Sequence, residues 1–293
     1  MVSATGQSPA ARRENSRVGD DAWMTDEPRH TRRASFDSIA ELYDAARPEY
    51  PPRLFEDLIA LASLEPGDRL LEIGCGTGKA SRPLLEAGFT VVCVELGEAL
   101  ARRARSNLAG LPFEAHVASF EDWEGERGAF DLVFAATGWH WLDPAVRYRK
   151  ANELLRPGGH LAFWGAFHAF PAGFDPFFAE IQKVYDAIGE RWEGDWPPPT
   201  PDRIPDDREE IERSGLFDDI QVRRYVWDRL YTAEEYVALL ETFSGHIAME
   251  AAKREHLYAE IRRRVGERDD PRVRRHWYAI LHVARRASVP APG

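Results

Sequence analysis

The chain has 293 residues, 44% of them hydrophobic, with 38 Lys and Arg against 49 Asp and Glu for a formal net charge of -11. That length allows one large domain or two small ones, and the apolar share is enough for a real core. The acidic sign argues against a nucleic-acid partner, which needs Lys and Arg to neutralise phosphates, and no apolar run is long enough to span a membrane.

Residues 1–33 are rich in Ser, Arg, Asp and Glu without periodicity, which predicts a disordered tail. Residues 289–293 are expected to be a second one. No positive segment followed by an apolar stretch opens the chain, so no secretory signal is expected and the cytoplasm is the default location. A single domain is predicted over residues 34–288. It opens with a short helix over Ser35 to Tyr43, then Tyr43-Asp-Ala-Ala-Arg47-Pro-Glu-Tyr50-Pro-Pro, then a helix from Pro52 to Leu64 stopped by Pro66-Gly67.

A regular alternation follows. Arg69 to Ile73 reads as a strand, Lys79 to Ala87 as a helix, Thr90 to Glu95 as a β-branched strand and Glu98 to Leu108 as a helix closed by Gly110. Phe113 to Ser119 and Phe130 to Ala136 are further strands. Asp143-Pro144 places a capping acid before a proline and predicts a helix to Leu155. His160 to Gly165 is a fifth strand. Strand and helix in this rhythm mean an α/β fold, an open parallel sheet with helices on both faces and right-handed crossovers.

After Phe167 the rhythm breaks. Residues 168–206 read as an irregular insertion with Phe170, Phe174, Phe177 and Phe178 to bury. Asp207 to Ser214 is a predicted helix and Asp219 to Trp227 a strand. Thr232-Ala-Glu-Glu235 is a capping-box pattern, and residues 230–268 are expected to form a small helical cap. His276 to Val283 alternates as a last strand. Cys75 and Cys93 lie in apolar runs and are expected as buried reduced thiols. No cluster of Cys and His suggests a metal.

The most informative stretch is Leu70-Leu-Glu72-Ile-Gly74-Cys-Gly76-Thr-Gly78, between a strand and a helix. Glycines there let the backbone turn tightly and approach a ligand. The dinucleotide fingerprint asks for a small residue where Lys79 stands, and the phosphate loop asks for Gly at 73 and Ser or Thr at 80, where the chain has Ile73 and Ala80. What remains is Gly-x-Gly-x-Gly with an acid two residues ahead, and Glu72 suits a ligand carrying an ammonium group. At the end of the second strand Glu95 can accept from ribose hydroxyls.

On these residues the chain resembles the class I S-adenosylmethionine-dependent methyltransferases, in particular the small-molecule group that includes trans-aconitate methyltransferase-like and methyltransferase type 11-like enzymes. Tyr43-Asp-x-x-Arg47-Pro-x-Tyr50-Pro and Trp139-His140-Trp141-Leu-Asp143 point to the subgroup more weakly. The resemblance implies a Rossmann-like seven-stranded sheet in the order 3-2-1-4-5-7-6 with strand 7 antiparallel. It implies Glu72, Gly74 and Gly76 beside the methionine part of the co-substrate, Glu95 on the ribose, and Leu96 and Phe120 on adenine. Ser119 stands where similar enzymes often have Asp. Ala135 and Ala136 would floor the site near the methyl group, and Tyr43 and Arg47 would form a lid over the carboxylate.

A sulfonium methyl is a strong electrophile, so the protein mainly holds the nucleophile in line. His140, just past the fourth strand, is the candidate base, because its ordinary pKa suits proton removal near neutrality. The competing reading makes it a packed wall residue between Trp139 and Trp141. His168 and the aromatic insertion are expected to shape the substrate site. Arg262 to Arg264 with Arg272, Arg274 and Arg275 form either a solvated helix face or a rim that attracts carboxylates. The expected function is methyl transfer from S-adenosyl-L-methionine to a small molecule without a metal, by a monomer or homodimer with no nucleic-acid or membrane partner. The alternatives are an RNA or protein methyltransferase and a catalytically silent S-adenosylmethionine-binding regulator.

Overall fold

The computed structural model describes residues 36–288 apart from residue 193; the two predicted tails fall almost wholly outside that span. Central strands are buried on both faces, as a covered parallel sheet requires. They are β1 (Arg69–Ile73), β2 (Thr90–Glu95), β4 (Phe130–Ala136) and β5 (Leu155–Trp164), with β3 (Phe113–Val117) the partly exposed edge strand. Side chains alternate between two cores. Leu71, Ile73, Val92, Val94, Val133 and Phe163 face one; Leu70, Val91, Leu132, Phe134, Ala162 and Trp164 face the other. Glu72 lies beside Cys93 in the parallel register of β1 and β2, on the face shared with Leu70 and Val91.

Helices cover these faces. They are α1 (Ala40–Ala46), α2 (Pro52–Leu61), α3 (Ser81–Glu86), α4 (Glu98–Asn107) and α5 (Arg147–Leu154). Helix α5 starts later than the Asp143-Pro144 signal suggests. Asp143 Oδ1 accepts from Ala145 N at 2.9 Å, which closes a local turn, and its carbonyl accepts from Arg147 N at 2.9 Å. Strand β5 starts earlier than expected, since Leu155 pairs with Phe130 ahead of a register shift to His160 opposite Leu132.

The sheet runs β3-β2-β1-β4-β5-β8, with β6 (Phe167–Ala169) and β7 (Phe217–Thr232) both pairing β8 (Arg272–Arg286). The predicted strands 6 and 7 are β7 and β8, and β8 is antiparallel between β5 and β7 as the resemblance implied. Both are longer than their sequence signals, because they zip together from Phe217 opposite Arg286 to Thr232 opposite Arg272. The short β6 was read as part of an irregular insertion.

That insertion also holds helix α6 (Phe177–Ala187), which buries Phe177, Phe178, Ile181, Val184 and Tyr185 on one side. After α7 (Arg208–Ser214), three helices lie between β7 and β8 as a cap, α8 (Ala233–Leu240), α9 (Ser244–Ala248) and α10 (Ala251–Gly266). The capping box is present, with Thr232 Oγ1 accepting from Glu235 N and Glu235 accepting from Thr232 N. Helix α6 and the cap share one core with Tyr236, Leu257, Ile261 and Trp277, so insertion and cap form a single helical layer. Asp175 ties it to β8. It takes both arms of Arg268 at 2.8 and 3.0 Å and the amides of Arg274 and Phe177 at 3.0 Å.

The cysteines correct an expectation. Cys75 and Cys93 are joined in a disulfide, with Cα atoms 6.2 Å apart. The turn after β1 sets Cys75 against the neighbouring parallel strand, an adjacency that cysteine spacing along the chain does not reveal. Among the described residues no helix is long and apolar enough to cross a membrane, and no group of three potential metal ligands occurs.

Candidate functional site

The site is built on the turn after β1. Gly74, Gly76 and Gly78 have φ of +73°, +54° and +89°, the left-handed region that favours glycine. At Gly78 a Cβ would also stand 2.7 Å from the side chain of Leu108, so only glycine lets the turn pack against the end of α4. Gly76 N donates to Glu95 Oε2 at 2.8 Å and Gly97 N to Glu95 Oε1 at 2.9 Å. Glu95 also lines the larger cavity.

Glu72 is buried on β1 and accepts from Ser81 Oγ. Burial pushes its pKa up to about 8, with Glu95 adding to the effect and the Ser81 bond opposing it. The result is an acid that is neutral near pH 7 and ready to ionise when a cation docks.

Two connected cavities lie above the turn. The larger holds about 920 Å³ out to its open mouth and runs from Glu95, Leu96 and Phe120 across Gly74 and Gly76 to Trp141, Phe167 and Phe243. The smaller, about 490 Å³, reaches Glu72, Lys79 and Tyr50. Tyr43, Arg47, Ala136, Thr137 and Ala166 line both and mark the junction.

The N-terminal segment straps this space. Asp37 Oδ1 accepts from Ala99 N at 2.6 Å and Leu100 N at 3.0 Å, satisfying the first turn of α4 from outside it. Asp44 binds Arg103 at 2.9 Å and Asn107 at 3.1 Å. Burial works to raise its pKa, but hydrogen bonds from Thr77, Arg103 and Asn107 hold it below the ordinary value. Arg47 donates to Thr242 Oγ1 at 2.8 Å and to its carbonyl at 2.7 Å, with the guanidinium 4.1 Å from the Phe243 ring centroid. Tyr50 and Thr137 share a hydroxyl–hydroxyl bond of 2.7 Å.

Of the residues singled out in the sequence, Tyr43, Arg47, Glu72, Gly74, Gly76, Glu95, Leu96, Phe120 and Ala136 line the cavities. Three do not. Ser119 donates to Asp122 Oδ2 at 2.7 Å and shapes the turn before Phe120. Ala135 is fully buried in the core under Ala136. His140 stands behind the wall, its ring 4.9 Å from Trp141 and 6.4 Å from Phe167. Trp139 is core, stacked on Phe163 at 5.0 Å, whereas Trp141 reaches the larger cavity. His168 packs on Phe170 and Phe178, away from either cavity.

Arg275 is buried against Phe243 and Trp277, and other arginines of the expected rim pair with neighbouring carboxylates. Arg262 pairs with Glu234, Arg263 with Glu260 and Glu267, Arg272 with Asp270 and Arg274 with Asp228. Thr137, Ala166, Phe167 and Phe243 were missed. Only the position of Thr137, directly after a strand that ends at the ligand edge of the sheet, carried a signal.

An open sheet with one antiparallel strand, a glycine turn after β1 and an acid ending β2 define a Rossmann-like α/β domain. Residues 70–159 match a family model described as a methyltransferase domain. An uncharacterized methyltransferase of Mycobacterium tuberculosis is 35% identical over 128 residues, covering 43% of this chain and 50% of that protein. The chain spans about half the length of such curated relatives. Among solved structures, a protein of Anaeromyxobacter dehalogenans described as a type II methyltransferase has a TM-score of 0.58 at 24% identity, covering 82% of this chain and 97% of that one. Phosphoethanolamine N-methyltransferase 2 of Haemonchus contortus, solved with phosphomonomethylethanolamine and S-adenosylhomocysteine, has a TM-score of 0.51 at 17% identity, covering 87% and 60%. Residues 70–159 thus match a methyltransferase domain, set in a fold shared with solved methyltransferases.

Proposed function

We propose that the chain transfers the methyl group of S-adenosyl-L-methionine to a small molecule by in-line displacement. The observation that carries this reading is a cavity pair along a glycine-rich turn, with Glu95 lining one cavity and Glu72 the other. Glu95 accepts the ribose hydroxyls, and Leu96, Leu100, Phe120 and Leu142 supply an apolar slot for adenine. Glu72 faces the ammonium end of the smaller cavity, with Lys79 and Arg47 near the carboxylate. The bound sulfonium supplies an activated methyl group. Thr137, Gly138 and Ala166 then hold the acceptor close and in line, which is worth up to about 7–11 kcal/mol. His140 acts through packing on Trp141, and no side-chain base is required of it.

The test is thermal stabilisation by S-adenosylhomocysteine. At a hundredfold over its dissociation constant the gain is about 2.7 kcal/mol. Glu95→Ala should abolish most of that gain while the ligand-free protein still unfolds cooperatively. A full shift in the variant removes Glu95 from the site, and no shift in the unaltered protein removes the whole reading.

A further inference from the structure

Thr137 directly follows β4 at φ +59°, left-handed for a β-branched residue. Such a conformation is a genuine outlier and persists only where surroundings enforce it, characteristically at functional sites. Here its amide donates to the Trp164 carbonyl, and its Oγ1 accepts from Ala166 N at 3.3 Å and meets Tyr50 Oη at 2.7 Å. Two hydroxyls carry two hydrogens, and the bond between them uses one. Whichever group donates, one O–H hydrogen is left, and among the described residues no carbonyl or carboxylate takes it. Burial pushes the Tyr50 phenol well above its ordinary pKa, so both hydrogens stay in place.

That remaining donor belongs to a pair lining the junction of the two cavities. Tyr43 and Arg47 line the junction beside it, and the wall toward the larger cavity is apolar and aromatic, from Ala136 and Ala166 to Trp141, Phe167 and Phe243. Of the two carboxylates, Glu72 shares the smaller cavity with Tyr50 and Glu95 lines the larger, and both are assigned above to the co-substrate. An amine acceptor is best served by a carboxylate that takes its N–H hydrogens, and apart from Glu72 and Glu95 no carboxylate lines either cavity. An oxygen nucleophile needs a donor that holds a lone pair in line, and the wall offers one.

We infer that the acceptor is a ring-sized apolar molecule bearing an ionised oxygen, a phenolate or carboxylate, positioned by the Tyr50–Thr137 hydroxyl pair; this rests on the methyl-transfer reading above. In the step, an oxygen lone pair forms the C–O bond while the C–S bond breaks and its electrons stay on sulfur. The sulfonium becomes a neutral thioether, and no proton moves because the acceptor arrives ionised.

The experiment uses the full chain with methyl-labelled S-adenosylmethionine and three probes of one size: para-cyanophenol, para-toluate and para-methylbenzylamine. An oxygen probe should be labelled about tenfold or more faster than the amine. Tyr50→Phe and Thr137→Val each leave one hydroxyl and should each slow transfer about threefold. The double variant removes the last donor and should cost about thirtyfold or more, beyond the product of the single effects, as expected for losing a hydrogen bond to a charged oxygen. Thr137→Ser should restore transfer, and the S-adenosylhomocysteine dissociation constant should stay within about twofold throughout. A purely structural bond is lost with either partner, so a double variant no worse than one single overturns the proposal. So does faster labelling of the amine, no labelling of either oxygen probe, or co-substrate affinity falling in step with transfer. A chain that binds no S-adenosylhomocysteine at all fails the methyl-transfer reading instead.

Discussion

Replacing Glu72 by Gln tests how a buried acid recognises a cationic ligand. Without ligand, burial holds the carboxyl at a pKa of about 8, so near pH 7 it is mostly neutral. Docking an ammonium group beside it favours the charged form, and one proton must leave as the ligand binds. Affinity for S-adenosylhomocysteine should therefore weaken about tenfold for each pH step below about 8. Between about pH 8.5 and about pH 6.5 the ratio of neutral to ionised Glu72 rises from about 0.3 to about 30. The dissociation constant should then rise about 25-fold, or ~1.9 kcal/mol. Calorimetric titration across that range gives the slope, and repeating it in buffers of different ionisation enthalpy counts the proton. Glu72→Gln should bind more weakly at high pH and show no slope. The same raised pKa bears on folding. The unfolded chain ionises this group near 4.5 and the native one near 8, so it is without effect on stability below about 4.5. Its contribution then becomes increasingly unfavourable up to about pH 8, by a few kcal/mol. A pH-independent affinity in the unaltered protein, or an equal slope in Glu72→Gln, refutes the assignment of this carboxyl to the ammonium.

Two other measurements probe the scaffold. Gly78→Ala meets both a φ of +89° and the Leu108 side chain at 2.7 Å, whereas Gly110→Ala meets a φ of +86° with nothing within 4 Å. Denaturant unfolding should give about 1 kcal/mol for the second and a further ~1–3 kcal/mol for the first from overpacking; equal losses would mean Leu108 moves aside freely. Asp175 is the buried partner of Arg268, and although burial acts to raise its pKa, the Arg268 bond and two backbone amides hold it below 3.8. That stability is present above the unfolded value and is lost as pH falls through the depressed one. Asp175→Asn should lower the melting temperature at neutral pH by about 4–8 °C, from ~2 kcal/mol. Calorimetry should show the gap closing in acid, and a constant gap would remove the charge from the explanation.

The signals legible in the sequence are local ones. A run such as Leu70-Leu-Glu-Ile followed by three spaced glycines fixes its own strand and turn, because alternation and positive φ are written in single residues. Glu95 could be placed because a strand of known length carries it to the ligand edge of the sheet. The mouth of the cavity was not legible. Arg47 finds Thr242 across 195 positions, and Tyr50 finds Thr137 across 87. Phe167 and Phe243 read in sequence like any other aromatic of a core, since a side chain that faces a cavity and one that faces a neighbour share the same periodicity. The helix hidden in the insertion is of the same kind. Its turns of Phe177, Phe178, Ile181 and Tyr185 become a buried face only once the cap packs on them. Local backbone preference and strand spacing thus determined the glycine-turn end of the cavities. Their mouth was decided by long-range packing, which places hydroxyls and rings from four distant segments around one opening.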